Sequence, residues 1–207
     1  MKQAERRAAT RGRLLDAAMD ALVESGLAGF RTADVVARAG SSQGALFDHF
    51  PTKQALLGAT VEHLFAALTV EYEAEFARLP ESERTVGGAL RLLWGVFCDV
   101  RLHAAYEAFT AARTDPDLRA ALEPVVTAHG ERLQRLALDL LGDRVPAGEA
   151  SRARFSAAVE LAVVAMEGLV LEQMARDVPG GAERLLTFLE ELAALALDPS
   201  PDPEALP

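Results

Sequence analysis

Residues 32–50 read TADVVARAGSSQGALFDHF, and this stretch decides the fold. Val35, Val36 and Ala39 make one short apolar face, and Leu46 and Phe50 make a second. Between them stand Gly40, Ser41 and Ser42. Glycine tolerates the backbone that ends a helix, and serine accepts hydrogen bonds from the amides that begin the next. Thr32 is expected to cap the first of the two helices, with Asp34 well placed in its first turn. Ser41 or Ser42 caps the second. Pro51 ends it, because the residue before a proline is driven out of the α region. Ala37 and Ala39 are small enough for close packing. Two short helices across a tight turn are the layout of a helix-turn-helix, whose second helix enters the major groove. The outer face of that second helix offers Gln43, Gly44, Ala45, Asp48 and His49.

The pattern extends both ways. Upstream, Leu14, Leu15, Ala18, Leu22 and Val23 form one helical stripe, with Gly26 as its expected stop. Downstream, Thr52 caps a long helix running to about residue 78. Beyond Pro80 the expected helices span about 84–102, 103–113, 116–141, 149–177 and 181–197, with breaks at Thr114-Asp115-Pro116, 142–148 and Pro179-Gly180-Gly181. No segment alternates with the period of a strand. The expected fold is therefore all-α. A three-helix N-terminal domain (1–52) carries the helix-turn-helix, a helical domain follows (53–197), and the acidic, Pro-rich 198–207 is expected to be a disordered tail.

Composition narrows the function classes. With 207 residues, 50% of them hydrophobic, the chain can build a substantial core. Its single cysteine excludes an internal disulfide and any thiolate-rich metal site. The N-terminus lacks the apolar core of a signal peptide, and no apolar run is long enough to span a membrane. A soluble, cytoplasmic protein is expected. The net charge of −10 is unevenly spread. Residues 1–60 hold eight basic and six acidic side chains, so this part is net positive and the remainder carries all of the acidic excess. An anionic partner must therefore meet the first third of the chain.

The run LLDAAMDALVESGLAGFRTADVVARAGSSQGALFDHFPTKQALL, residues 14–57, resembles the N-terminal domain of the TetR family of bacterial repressors. The matching elements are LLDAA, Gly26, Phe30, Thr32, VARAG, Ser42-x-Gly44, Leu46-Phe47-x-His49-Phe50 and Lys53-x-x-Leu56. The resemblance implies a helical homodimer that binds DNA through its N-terminal domain and a small molecule in its C-terminal one. Two positions depart from the usual pattern. Ser41 replaces a small aliphatic residue in the turn. Phe47 replaces a tyrosine whose hydroxyl meets a phosphate; its ring can instead touch sugar or a thymine methyl, or pack inward.

Chemistry suggests a role for each position. Thr32 serves as a helix cap, a phosphate donor through its hydroxyl and nearby amides, or both. Lys53, the only lysine beyond the N-terminal tail, is the expected phosphate cation. His49 can donate to a phosphate in either protonation state. Gly44 admits close backbone approach. Gln43 can read adenine, and Ala45 can touch a thymine methyl. Ser42 and Phe47 complete the DNA-facing set. Arg6, Arg7, Arg11 and Arg13 form either a basic approach to the backbone or a solvated tail. Asp48 is read as a solvent residue.

The C-terminal part is less specific. The segment HAAYEAFTAARTDPDLRAAL, residues 103–122, also resembles part of such regulators. The helices at 149–177 and 181–197 are more apolar than one buried stripe requires. In the family that the chain resembles such a pair forms the homodimer interface, with Ala162, Ala165 and Gly168 allowing close approach; closing the monomer's own core is the alternative. Trp94, Cys98, Tyr106, Thr110, His129 and Glu167 are candidate effector contacts, being polar or aromatic in apolar surroundings. The expected effector is a small apolar or amphipathic molecule. No cofactor, no metal and no catalytic residue are expected: the four histidines lack metal-ligand spacing, and no H-E-x-x-H or phosphate-binding glycine loop is present. A helical interaction module that has lost specific DNA binding is the alternative.

Overall fold

The computed structural model describes residues 2–197, and the expected tail at 198–207 lies outside them. The described residues form helices and short 3₁₀ turns. The helices are α1 (Lys2–Gly29), α2 (Thr32–Arg38), α3 (Gln43–His49), α4 (Lys53–Arg78), α5 (Val86–Phe97), α6 (Val100–Ala112), α7 (Pro116–Leu141), α8 (Glu149–Ala175) and α9 (Gly181–Ala196). Two compact units divide the chain. Of the described residues, the first holds 2–70 and 99–129, and the second 71–98 and 130–197.

The first unit is built on α1. Leu14, Leu15, Ala18 and Leu22 are buried, as their spacing predicts, together with Val35 of α2, Leu46 of α3 and Leu56, Leu57 and Val61 of α4. Gly26 ends the striped stretch of α1, as its position predicts, by breaking the helix. Its backbone lies at φ 61°, ψ 175°, and helix resumes as far as Gly29. Only glycine occupies that region without strain. The Leu27 amide freed by the kink donates to Glu107 Oε2 of α6 at 2.7 Å. Helix α1 also starts earlier than its apolar stripe. Residues 2–13 are helical and 3–13 largely exposed, in keeping with their Ala, Glu, Gln and Arg content, so the arginines sit on a helix and not in a tail.

In the second unit α5, α8 and α9 pack together. Phe76, Ala89, Leu141 and Phe155 are the buried centre of one cluster. Arg91 pairs with Glu190 at 2.7 Å, tying α5 to α9. The expected helices at 84–102 and 103–113 divide earlier, at Cys98-Asp99. Asp99 is the reason: its carboxylate accepts from the Arg101 amide at 2.7 Å and starts α6 as a cap.

Candidate nucleic-acid interface

The helix-turn-helix is held by backbone closure more than by side-chain caps. Helix α2 begins after Arg31, whose carbonyl accepts from Asp34 and Val35. Thr32 is thus the first helical residue and not the cap; Arg31 occupies that place in extended conformation without a side-chain bond. The hydroxyl of Thr32 is accordingly not needed by its own helix. At the other end, the Gly40 amide donates to Ala37 and the Ser41 amide to Val36 at 2.9 Å. Gly40 has φ 57°, completing the paired closure that glycine favours at a helix end. Ser41 takes part through its amide, which any residue except proline supplies, so its departure from the family pattern leaves the turn intact.

Ser42 then starts α3, its hydroxyl accepting from the Ala45 amide at 3.2 Å. Leu46 is fully buried and anchors the helix. Gln43, Gly44, Phe47 and Asp48 are exposed, whereas Ala45 and His49 are half-buried. Phe47 is 46% exposed, which overturns inward packing for its ring. Phe50 is extended ahead of Pro51, and Thr52 accepts from the Ala55 amide at 3.0 Å to begin α4.

Lys53 has a structural partner. Its ammonium donates to the Phe30 carbonyl at 2.9 Å and lies 5.3 Å from the Phe30 ring centroid. This positions the cation beside the entry to α2. Arg38 forms a two-pronged pair with Glu24 across α1 and α2. Hydrogen bonding from Arg38 lowers the Glu24 carboxyl below the usual range, and the same bond raises the guanidinium. Arg7 reaches the Asp48 carbonyl at 3.4 Å, and Arg11 lies 5.3 Å from the Phe50 ring centroid. Both contacts bring the front of α1 against the last turn of α3. Neither was legible in the sequence, although the i, i+4 spacing places the two arginines on one side of a helix.

Residues 40–44, GSSQG, also fit the G-x-S-x-G spacing of a hydrolase nucleophile. That chemistry needs a sharp turn from strand to helix. Here the residues join two helices.

The candidate effector contacts fall in both units. Trp94 and Glu167 are half-buried and Cys98 is exposed, all in the second. Burial raises the Glu167 carboxyl above its ordinary value. Tyr106, Thr110 and His129 belong to the first unit. Tyr106 is buried and packs edge-on against Phe109 at 5.8 Å, Phe109 lies 6.3 Å from Phe65, and Phe65 stacks on His129 at 3.8 Å. Tyr106 and His129 thus join one aromatic chain through two phenylalanines that the sequence did not single out. The Thr110 hydroxyl donates to the Tyr106 carbonyl in its own helix. Among the described residues no group of His, Cys, Asp and Glu is placed to hold a metal, and no helix is long and apolar enough to cross a membrane.

A short, capped and exposed second helix after a closed turn defines the class: a helix-turn-helix protein. Residues 14–60 match the model of bacterial regulatory proteins of the tetR family. The chain is 40% identical over 124 residues to the HTH-type transcriptional regulator CymR of Pseudomonas putida, a match covering 60% of this chain and 61% of CymR. It is 31% identical over 140 residues to an uncharacterised HTH-type transcriptional regulator of Mycobacterium tuberculosis, covering 68% of this chain and 72% of that protein. The solved multidrug binding protein EbrR, complexed with imidazole, shares the fold with a TM-score of 0.60 at 23% identity, over 94% of this chain and 97% of that one. RolR in complex with resorcinol does so with a TM-score of 0.58 at 21% identity, over 94% of each chain. The chain belongs to the TetR family; it is a helix-turn-helix transcriptional regulator and not an enzyme.

Proposed function

We propose that this chain is a ligand-responsive repressor that leaves a palindromic operator when a small apolar or amphipathic effector binds. The observation that carries the proposal is the exposed strip of α3, held by a buried Leu46 and a closed turn within the basic third of the chain. Residues 1–52 bind DNA, and 53–197 supply the effector site and the dimer interface. Gln43, Ala45 and Phe47 face base edges. Thr32, Ser42, His49 and Lys53 face phosphates, and Gly44 admits the backbone. A Cβ at Gly44 would meet nothing closer than Ser42 Oγ at 3.9 Å, so its value lies in what approaches from outside.

The homodimer forms through α8 and α9. Each keeps large apolar side chains on its outside: Leu161, Val164, Leu171 and Met174 on the first, Phe188 and Leu195 on the second. Exposed apolar surface of this kind marks an interface. Two recognition helices then reach successive major grooves about 34–36 Å apart, which requires a near-palindromic site. The effector contacts are drawn from Tyr106, Thr110 and His129 of the first unit or from Trp94, Cys98 and Glu167 of the second, in keeping with relatives of this fold whose structures hold imidazole or resorcinol. Helix α4 supplies residues to both units and is the route by which effector and operator are linked. A coupling of about 1–3 kcal/mol gives a roughly 5–150-fold change in operator affinity.

The test is binding to duplexes from the protein's own upstream region over a salt series, with and without small aromatic compounds. Tight, salt-dependent binding to one near-palindrome, weakened by an effector, is expected. Equal binding to all duplexes would favour the interaction module that has lost specificity.

A further inference from the structure

We infer that Asp48 is a base-reading residue, and that its carboxylate selects a cytosine in each half-site of the operator. The inference rests on the proposed sequence-specific binding of duplex DNA by α3. The last turn of α3 carries Asp48, and the exposed side chains of this helix are Gln43, Phe47 and Asp48, beside Gly44. Positions i and i+4 share a face, so Gln43 stands with Phe47, and Gly44 with Asp48, on two adjoining strips. Leu46, about 160° around the helix from Asp48, is fully buried. Asp48 stands one turn on from Gly44, at the edge of the exposed strip, so the close approach that Gly44 admits brings the carboxylate to the groove.

A carboxylate on that face has restricted chemistry. It is an acceptor only. In the major groove guanine shows N7 and O6 and thymine shows O4, all acceptors, which a carboxylate repels. Adenine sets its amino group beside N7. Cytosine offers the N4 amino donor, and acidic side chains accept from it. A negative charge in the last turn of a helix is also disfavoured by the helix dipole, so the position gives Asp48 no stabilising role.

The surroundings let an acid sit next to a polyanion. Arg7 donates to the main-chain oxygen of Asp48, and Arg11 lies over the ring of Phe50 two residues on. The exposed front of α1 thus brings two guanidinium groups to the turn that bears the carboxylate. Arg7 holds that turn through its main chain, and both arginines bring positive charge to the end of α3 that DNA approaches.

The experiment is selection from a randomised duplex library with the full chain, as wild type, Asp48→Asn and Asp48→Ala, followed by titration of the selected duplexes. Asp48→Asn keeps the shape, and circular dichroism confirms that each variant is folded. Wild type is expected to require cytosine at one position per half-site. Asp48→Asn should move that position to adenine, which asparagine reads through paired donor and acceptor. Asp48→Ala should leave it degenerate, with a loss of roughly 5–150-fold on the wild-type site. Selection at the other positions should not change. Three results overturn the inference. Tighter binding of Asp48→Ala to every duplex alike would place the carboxylate at a phosphate. Identical selection by all three proteins would return it to solvent. A selected wild-type site without the cytosine would leave DNA reading intact and remove Asp48 from it. If wild type enriches no sequence at all, the regulator proposal fails first and this inference with it.

Discussion

Helices α3 and α8 both keep a face exposed after folding, and the two faces are opposite in kind. Helix α3 buries Leu46 and leaves outside Gln43, Gly44, Phe47 and Asp48, mostly polar or small. Helix α8 buries Phe155, Ala162, Met166 and Val170, yet leaves Leu161, Val164, Leu171 and Met174 outside. The first face suits hydrogen-bonding partners, and the second suits another apolar face. Charge follows the same division, with the basic surplus confined to the first 60 residues. The contrast shows why one face is legible residue by residue and the other only as a pattern. Groove recognition needs particular donors and acceptors at fixed offsets. Apolar packing accepts many side chains of suitable size.

Charge placed on the apolar face should have the largest effect. Val164 and Phe188 are more than half exposed, so Val164→Glu and Phe188→Glu should not disturb the unit that bears them. In a dimer each would bury an unpaired charge, at a cost of about 3–5 kcal/mol. Sedimentation should show monomer at micromolar concentration, and operator affinity should fall with it. A dimer that survives both substitutions would move the interface elsewhere. The complementary substitution is Leu46→Ala, on the buried side of α3. It should cost about 2–5 kcal/mol of unfolding free energy. Urea unfolding reads this directly, and a loss well under 1 kcal/mol would show that Leu46 does not anchor the helix.

The fold was legible where composition and punctuation agreed. Gly40, Ser42 and Pro51 each end or begin an element where expected. Thr32 lies one residue inside the helix and not at its cap, because Arg31 closes the helix start through its carbonyl, which any residue provides. The cap at Asp99 is hidden in the sequence because the apolar runs on both sides of it read as one helix. Contacts between distant segments left no sequence signal: the Glu107 carboxylate at Leu27, Lys53 at the Phe30 carbonyl, and Phe65 on His129. Such contacts depend on helix packing geometry, which periodicity does not encode.

On the recognition face, smaller changes separate reading from holding. Gln43→Ala should cost about 1–3 kcal/mol on the operator and relax one or two base pairs, with the salt dependence unchanged. Lys53→Ala should weaken all duplexes alike and lower the salt slope by about one unit if its charge meets a phosphate. The Phe30 contact adds a second signature, because its loss should also lower thermal stability. Loss of stability with an unaltered salt slope would assign Lys53 to holding α2 and not to DNA.

The smallest effect lies in the second unit, at Tyr72. Its hydroxyl donates to the Ala89 carbonyl at 3.1 Å, and burial pushes its pKa up to about 12. Tyr72→Phe should cost about 0.5–1.5 kcal/mol near neutral pH, the worth of one net hydrogen bond. The pH dependence has a fixed sign. In the unfolded chain the phenol ionises near its ordinary value of about 10, while the folded protein holds the proton to higher pH. The contribution is complete below about pH 10 and is lost as pH rises toward the folded value, because the unfolded state releases its proton first. Unfolding curves for wild type and Tyr72→Phe should therefore stay apart between pH 7 and 9 and converge above pH 10. Curves that keep a constant separation up to pH 11 would show that the hydroxyl is open to solvent. The recognition face offers no counterpart, since no described tyrosine lies on it.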